Sequence, residues 1–241
     1  MPLLELQRLC KDFKGLRAVQ SVSVGIEKNE IFGMIGPNGS GKTTIFNLVS
    51  GIYGPTAGSI RFEGESITGL QPNQVCRRGI GRTFQITKPF LKLNVLDNVI
   101  IGALNRSESV AKAGNKAREV LAQMDLEDKL DALGKDLSVP QRKRLELARA
   151  LATEPKLLLL DEVLAGLNPA EIKEMLGVLK KIAQRGITIF IIEHIMHAIM
   201  MISHRVMVLH HGELIAIGTP KEIAGHPKVI EAYLGEEYSF A

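Results

Sequence analysis

The chain has no tryptophan, only two cysteines, and aromatic residues amount to 5% of its 241 positions. Cys10 and Cys76 show neither metal-ligand spacing nor a disulfide framework, so a reduced, cytosolic setting with both thiols packed is expected. No run approaches the ~18 apolar residues that a membrane span requires. The longest candidate, Ile187 to Ile202, is broken by Glu193, His194 and His197. The opening Met1-Pro2-Leu3-Leu4-Glu5 lacks a charged segment followed by an apolar one, so no secretory signal is expected. Charge is nearly balanced, at +4 with a pI near 9.0, which makes no case for nucleic acid without Lys and Arg clustered on one face. No internal repeat or low-complexity segment is visible.

With 45% hydrophobic and 23% charged residues, the chain reads as one large globular domain or two small ones. Residues 3–9 and 21–27 alternate as half-buried strands do, with turn chemistry across Lys11–Leu16. Glu30–Ile35, 59–64, 156–160, 187–192, 205–210 and 214–218 read as strands, several of them apolar throughout. Helical patterns fall near 72–78, 94–104, 108–124, 139–152, 169–184 and 195–202. Ser138-Val139-Pro140-Gln141 is a capping box with Pro in the first turn, and Asn168-Pro169-Ala170-Glu171 is a second helix start. Aliphatic strands alternating with helices mean a mostly parallel α/β sheet. The helical stretch from about 87 to 152 interrupts it.

The most specific stretch is Gly36-Pro37-Asn38-Gly39-Ser40-Gly41-Lys42-Thr43, followed by Thr44, between a short apolar strand and a helix start. Glycines in such a turn let backbone N–H groups approach phosphate oxygens without Cβ collisions. The helix N-terminus adds unpaired donors and positive potential. Lys42 would reach the β- and γ-phosphates, and the Thr43 hydroxyl would ligate Mg²⁺. Phosphoryl transfer to water further needs a metal ligand, a base and a γ-phosphate sensor. Asp161, after four leucines, is placed to support Mg²⁺, and Glu162 to poise water as general base. His194 ends another apolar strand, within reach of a γ-phosphate; Gln85 says little alone. Phe13 serves equally well as a core residue or as a ring stacked on adenine. Met196, Met200 and Met201 read as packing against the sheet.

Together these residues resemble the nucleotide-binding subunit of ABC transporters across essentially the whole chain. In that family's terms Gly36–Thr43 is Walker A, Gln85 the Q-loop glutamine and Leu137–Gln141 the signature. Leu157–Glu162 is Walker B with its catalytic glutamate, Ala165-Gly166-Leu167-Asn168 the D-loop and His194 the switch histidine. More narrowly, the chain looks like the larger ATPase subunit of branched-chain amino-acid importers. That likeness rests on Arg82-Thr83-Phe84-Gln85, Leu145–Leu151, Ile192-Glu193-His194 and the ending Val229–Gly235.

The resemblance implies a P-loop NTPase (RecA-like) core at about 1–86 and 153–218 with an antiparallel β subdomain, a helical subdomain at about 87–152, and a C-terminal tail at about 219–241. It implies ATP and Mg²⁺ as ligands. Nucleotide contacts would come from Phe13, Val19, Gly36 to Thr44, Ser138 and Gln141; metal contacts from Thr43, Gln85 and Asp161; catalysis from Glu162, His194 and Gln85. It further implies a head-to-tail dimer with a second ATPase subunit, identical or similar, on the cytoplasmic face of the cell membrane. Permease subunits and, indirectly, an external solute-binding protein would complete the assembly; nucleic acid is not expected.

The chain departs from the family pattern at three places. Val139 and Pro140 fill the two glycine positions of Leu-Ser-Gly-Gly-Gln, and Pro140 has no N–H to donate to a partner's γ-phosphate. Val163 follows the glutamate where proline is common, and Asn168 replaces the D-loop aspartate. Rival readings are a non-transport ABC ATPase, which usually needs a long coiled-coil insertion or two fused units; a P-loop kinase, which would lack the Ser138–Gln141 and His194 elements; and a regulatory ATP binder with weak hydrolysis.

Overall fold

A computed structural model describes residues 1–83 and 89–237; Phe84 and Gln85 fall outside the described residues. Its strands are β1 (Leu4–Phe13), β2 (Leu16–Ile26), β3 (Ile31–Ile35), β4 (Ala57–Phe62), β5 (Glu65–Ser66), β6 (Ile80–Arg82), β7 (Leu157–Asp161), β8 (Thr188–Ile192), β9 (Arg205–His210) and β10 (Glu213–Gly218). The α-helices are α1 (Lys42–Val49), α2 (Pro72–Arg78), α3 (Val95–Ala103), α4 (Val110–Gln123), α5 (Val139–Leu151), α6 (Pro169–Gln184), α7 (Met196–Ile202), α8 (Pro220–Ala224) and α9 (Pro227–Glu237).

A six-stranded sheet runs β10-β9-β3-β8-β7-β6, parallel except for the β9–β10 hairpin. Its middle strands β3, β7 and β8 are buried at every position, which explains why they read as continuous apolar runs. Strand alternation sends Leu158, Leu160, Ile189 and Ile191 into one core and Leu157, Leu159, Phe190 and Ile192 into the other. The first core is closed by α3 to α7. The second is closed by α1 and by an antiparallel sheet ordered β2-β1-β4-β5. Helix α7 approaches β3 so closely that a Cβ on Gly33 would lie 2.8 Å from Ser203 Oγ and 2.9 Å from Ile199. Met196 and Met200 pack against the first core, as the sequence suggests, while Met201 is exposed.

The expected elements form with small changes. The turn expected across Lys11–Leu16 is confined to Lys14-Gly15, because β1 and β2 pair to Phe13↔Leu16 and Asp12 binds Arg17 across the ladder. The segment after Gly218, expected only as a C-terminal tail, is largely helical. Thr219 caps α8 in a capping box with Glu222, and Val229 and Ala232 of α9 are buried. Among the described residues, no helix is long and apolar enough to cross a membrane.

Candidate functional site

Parallel pairing brings the C-terminal ends of neighbouring strands to one edge, where open α/β sheets bind ligands. The loop Gly36–Gly41 leaves β3, Glu193-His194 leaves the adjacent β8, and Asp161-Glu162 closes β7 beyond it. Four of the residue groups proposed from sequence therefore meet by topology alone: the loop, Asp161, Glu162 and His194.

The loop is shaped by glycine where nothing else fits. Gly36 has φ +152°, and a Cβ there would lie 2.2 Å from Leu209 O and 2.6 Å from Ser40 Oγ. Gly41 has φ +102°, with Ala18 O 2.4 Å from the Cβ position. The back of the loop is tied to the β9–β10 turn: Gly212 N–H donates to Ser40 O at 3.0 Å, and Gln20 N–H donates to Gly212 O at 2.8 Å. Lys42 is buried, its ammonium donating to the carbonyls of Gly36 (2.7 Å) and Pro37 (2.8 Å). Helix α1 starts without a side-chain cap, whereas α3, α4, α5, α6 and α8 each have one. A helix start without a side-chain cap is suited to an outside acceptor at its first-turn N–H groups. Asn38, Gly39 and Thr43 are exposed, and Pro37 and Ser40 are buried.

Asp161 is 1% exposed and pairs with Arg82 Nη2 at 3.2 Å. Arg82 Nη1 also donates to Asn47 Oδ1 (2.7 Å) and Ser50 Oγ (2.8 Å), both on or beside α1. One guanidinium thus joins the loop helix to the strand end that carries Asp161. Burial pushes the Asp161 carboxyl above its ordinary range, while Arg82 pulls it back. Its Oδ1 is buried with no hydrogen-bond partner.

Glu162 has φ +51°, a left-handed conformation that non-glycine residues seldom adopt. Its Oε1 lies 2.7 Å from His194 Nε2. Its carboxylate is 14% exposed and the imidazole 45%, so the pair faces the open edge. Glu193, next to it, points inward: it is 3% exposed and accepts the Leu164 N–H at 2.8 Å. Burial first, and the Glu162 charge after it, raise its carboxyl to about 7, against the pull of Leu164 N–H and Lys143.

Ser138 and Gln141 form the expected capping box at the exposed start of α5, Gln141 Oε1 accepting Ser138 N–H at 2.9 Å. Among the described residues no hydrogen bond joins them to the loop. Phe13 ends β1, half-buried, edge-on to Tyr53 at 5.2 Å with Lys11 Nζ 5.1 Å from its ring. Val19 is fully buried in the second core. Gln85 lies outside the described residues. Sequence reasoning passed over Arg82, Lys143 and Glu193 as site residues. An Arg three residues ahead of Gln85, and a Glu just before His194, are the only linear hints.

Residues 19–165 match the family model of ABC transporters, and residues 213–239 match that of branched-chain amino acid ATP-binding cassette transporters. The high-affinity branched-chain amino acid transport ATP-binding protein BraF of Pseudomonas aeruginosa is 37% identical, over 98% of each chain. The probable branched-chain amino acid transport ATP-binding protein LivG of Archaeoglobus fulgidus is 38% identical, over 99% of this chain and 98% of its own. The lipopolysaccharide export system ATP-binding protein LptB of Escherichia coli is 36% identical over 99% of both. A nucleotide-free ATP-binding cassette from an ABC transporter superposes with a TM-score of 0.89 at 31% identity, covering 97% of this chain and 99% of its own. The ADP conformation of the cassette MJ1267 gives the same TM-score and identity, covering 98% and 99%. The chain belongs to the ABC transporter family of ATP-binding subunits, with branched-chain amino acid transport proteins among its relatives.

Proposed function

We propose that this chain hydrolyses ATP to drive import of a small polar solute, with branched-chain or related amino acids as the cargo class. The observation that carries the reading is the meeting of an uncapped glycine loop, Asp161 and the Glu162–His194 pair on one sheet edge. Lys42 and the loop N–H groups hold the β- and γ-phosphates. Glu162 orients a water and takes its proton as the water oxygen bonds to the γ-phosphorus. The bond from that phosphorus to the β–γ bridging oxygen breaks, giving ADP and phosphate. His194 fixes the Glu162 carboxylate and reaches the γ-phosphate. Phe13 offers a face to adenine.

Mg²⁺ fits the oxygen donors present: Asp161 Oδ1 is buried without a partner, and Thr43 is exposed at the head of α1. When bound it would neutralise phosphate charge, with Thr43 and Asp161 holding it and Gln85 joining them on the family pattern.

The exposed Ser138 and the half-buried Gln141 complete the site of a second ATPase subunit, identical or similar, arranged head to tail. The γ-phosphate then favours the closed dimer over the open one, and that differential binding moves permease subunits at the cytoplasmic face of the membrane. A binding protein on the far side would deliver the solute. The relative LptB favours a second reading, the same motor on an exporter; the match over 213–239 weighs for import. The test is ATP turnover, measured alone and in proteoliposomes with branched-chain importer membrane subunits. Stimulated turnover with uptake of leucine, isoleucine or valine is expected; turnover indifferent to those subunits would overturn the reading.

A further inference from the structure

Behind Glu162 lies a buried polar cluster that the proposed hydrolysis leaves unused. Lys143 of α5 is 6% exposed, and its Nζ donates to the Glu162 carbonyl oxygen at 3.1 Å. Glu193, 3% exposed, accepts the Leu164 N–H at 2.8 Å, and the Glu162 N–H donates to Ile192 O at 3.0 Å. The peptide groups on either side of Glu162, and the one two residues on, are each held by a different residue. That residue's own backbone is left-handed, at φ +51°, a conformation that persists only where its surroundings over-determine it. A buried ammonium and a buried carboxyl are costly in a core unless they are paired or hydrogen-bonded. Here each makes a hydrogen bond to this one turn.

We infer that Lys143 and Glu193 are positioning residues that hold the strained turn and so aim Glu162 at His194 and the attacking water. The inference rests on the reading of Glu162 as the base. Neither side chain reaches the reacting atoms; both act on main-chain groups of residues 162 and 164. The charged and titratable groups around Glu193 are Glu162 and Lys143, with the N–H groups of Leu164 and His194 as donors. What the turn needs from Glu193 is an acceptor oxygen, which a neutral amide also supplies. Lys143 sits on the helix that opens at Ser138, so the turn is also tied to the element offered to the second chain.

The experiment measures kcat, KM and ATP affinity for Lys143→Met, Lys143→Arg, Glu193→Ala and Glu193→Gln, each also combined with Glu162→Gln. Lys143→Met and Glu193→Ala are expected to lower kcat by about tenfold or more, the scale of one charge-assisted hydrogen bond, with ATP affinity unchanged. Lys143→Arg and Glu193→Gln, which keep a donor and an acceptor, should recover most of that loss. In the Glu162→Gln background neither loss should appear again, because a positioning residue has nothing left to position. Losses that recur undiminished beside Glu162→Gln, or ATP affinity falling in step with kcat, would overturn the inference. So would kcat within about twofold of the parent. If Lys143→Met fails to fold, Lys143→Gln takes its place. Undiminished turnover of Glu162→Gln alone would instead sink the reading of the base.

Discussion

Replacing Arg82 by Met is the sharpest probe of how the site is held together. The guanidinium is 8% exposed and its partner Asp161 1%, so the substitution strands a carboxylate in the interior rather than trimming a surface pair. It also leaves Asn47 Oδ1 and Ser50 Oγ without their 2.7 and 2.8 Å donor. Breaking a buried pair from one side costs about 3–5 kcal/mol, and at this chain length each kcal/mol moves Tm by about 2–4 °C. A fall in Tm of roughly 6–20 °C is expected. The loss has a pH signature. Arg82 opposes the upward push of burial on Asp161, so without it the carboxyl rises further. A carboxyl raised in the folded state favours folding at low pH and ceases to do so as pH climbs through its folded value. The gap between Arg82→Met and the parent should therefore widen as pH rises above the ordinary carboxylate range. Adding Asp161→Asn should restore much of the loss, since both charges are then gone. Urea unfolding of the four chains as pH rises above that range is the assay. A cost below about 1 kcal/mol, or a double variant equal to the sum of the singles, would refute the claim that this pair is a buried, shared strut.

Three further outcomes follow from separate parts of the structure. Gly36→Ala, whose Cβ would fall 2.2 Å from Leu209 O, should weaken ATP binding by about tenfold or more, and Gly39→Ala, with nothing within 4 Å of its Cβ, by less; isothermal titration checks the order. The Glu193 carboxyl sits at about 7 when folded against an ordinary 4.5, so its contribution to stability is full below about 4.5 and lost as pH rises to about 7. Glu193→Gln should flatten that part of the pH–stability curve, read by urea midpoints. Pro140→Gly restores one N–H at the exposed start of α5. It should tighten ATP-dependent self-association by about fivefold, the scale of one hydrogen bond, measured by sedimentation with ATP; an unchanged association constant contradicts the reading of the signature.

The parts of this fold that could be read along the chain are those whose physics is local. The glycine loop, the all-apolar strands and the boxes at Ser138 and Asn168 each declare themselves within a few residues, and the structure forms them where expected. What local pattern could not show is which polar side chains meet across the fold. Arg82 reaches Asp161 because Arg82 pairs with Leu159 in the β6–β7 ladder. Lys143 reads as one more charge in a mixed helix until that helix is laid against the end of β7. Glu193 and His194 are adjacent in sequence, yet one turns inward to Leu164 and the other outward to Glu162. The two helices after Gly218 escaped notice because α8 has only 5 residues and, among the described residues of α9, burial falls on just Val229 and Ala232.

The central claim is that Glu162 is the base that activates water for ATP hydrolysis. Steady-state turnover and ATP affinity of Glu162→Gln, measured beside the unsubstituted chain, test it most directly. The account predicts retained ATP binding with turnover lowered by about 10²-fold or more; turnover close to that of the unsubstituted chain would contradict it.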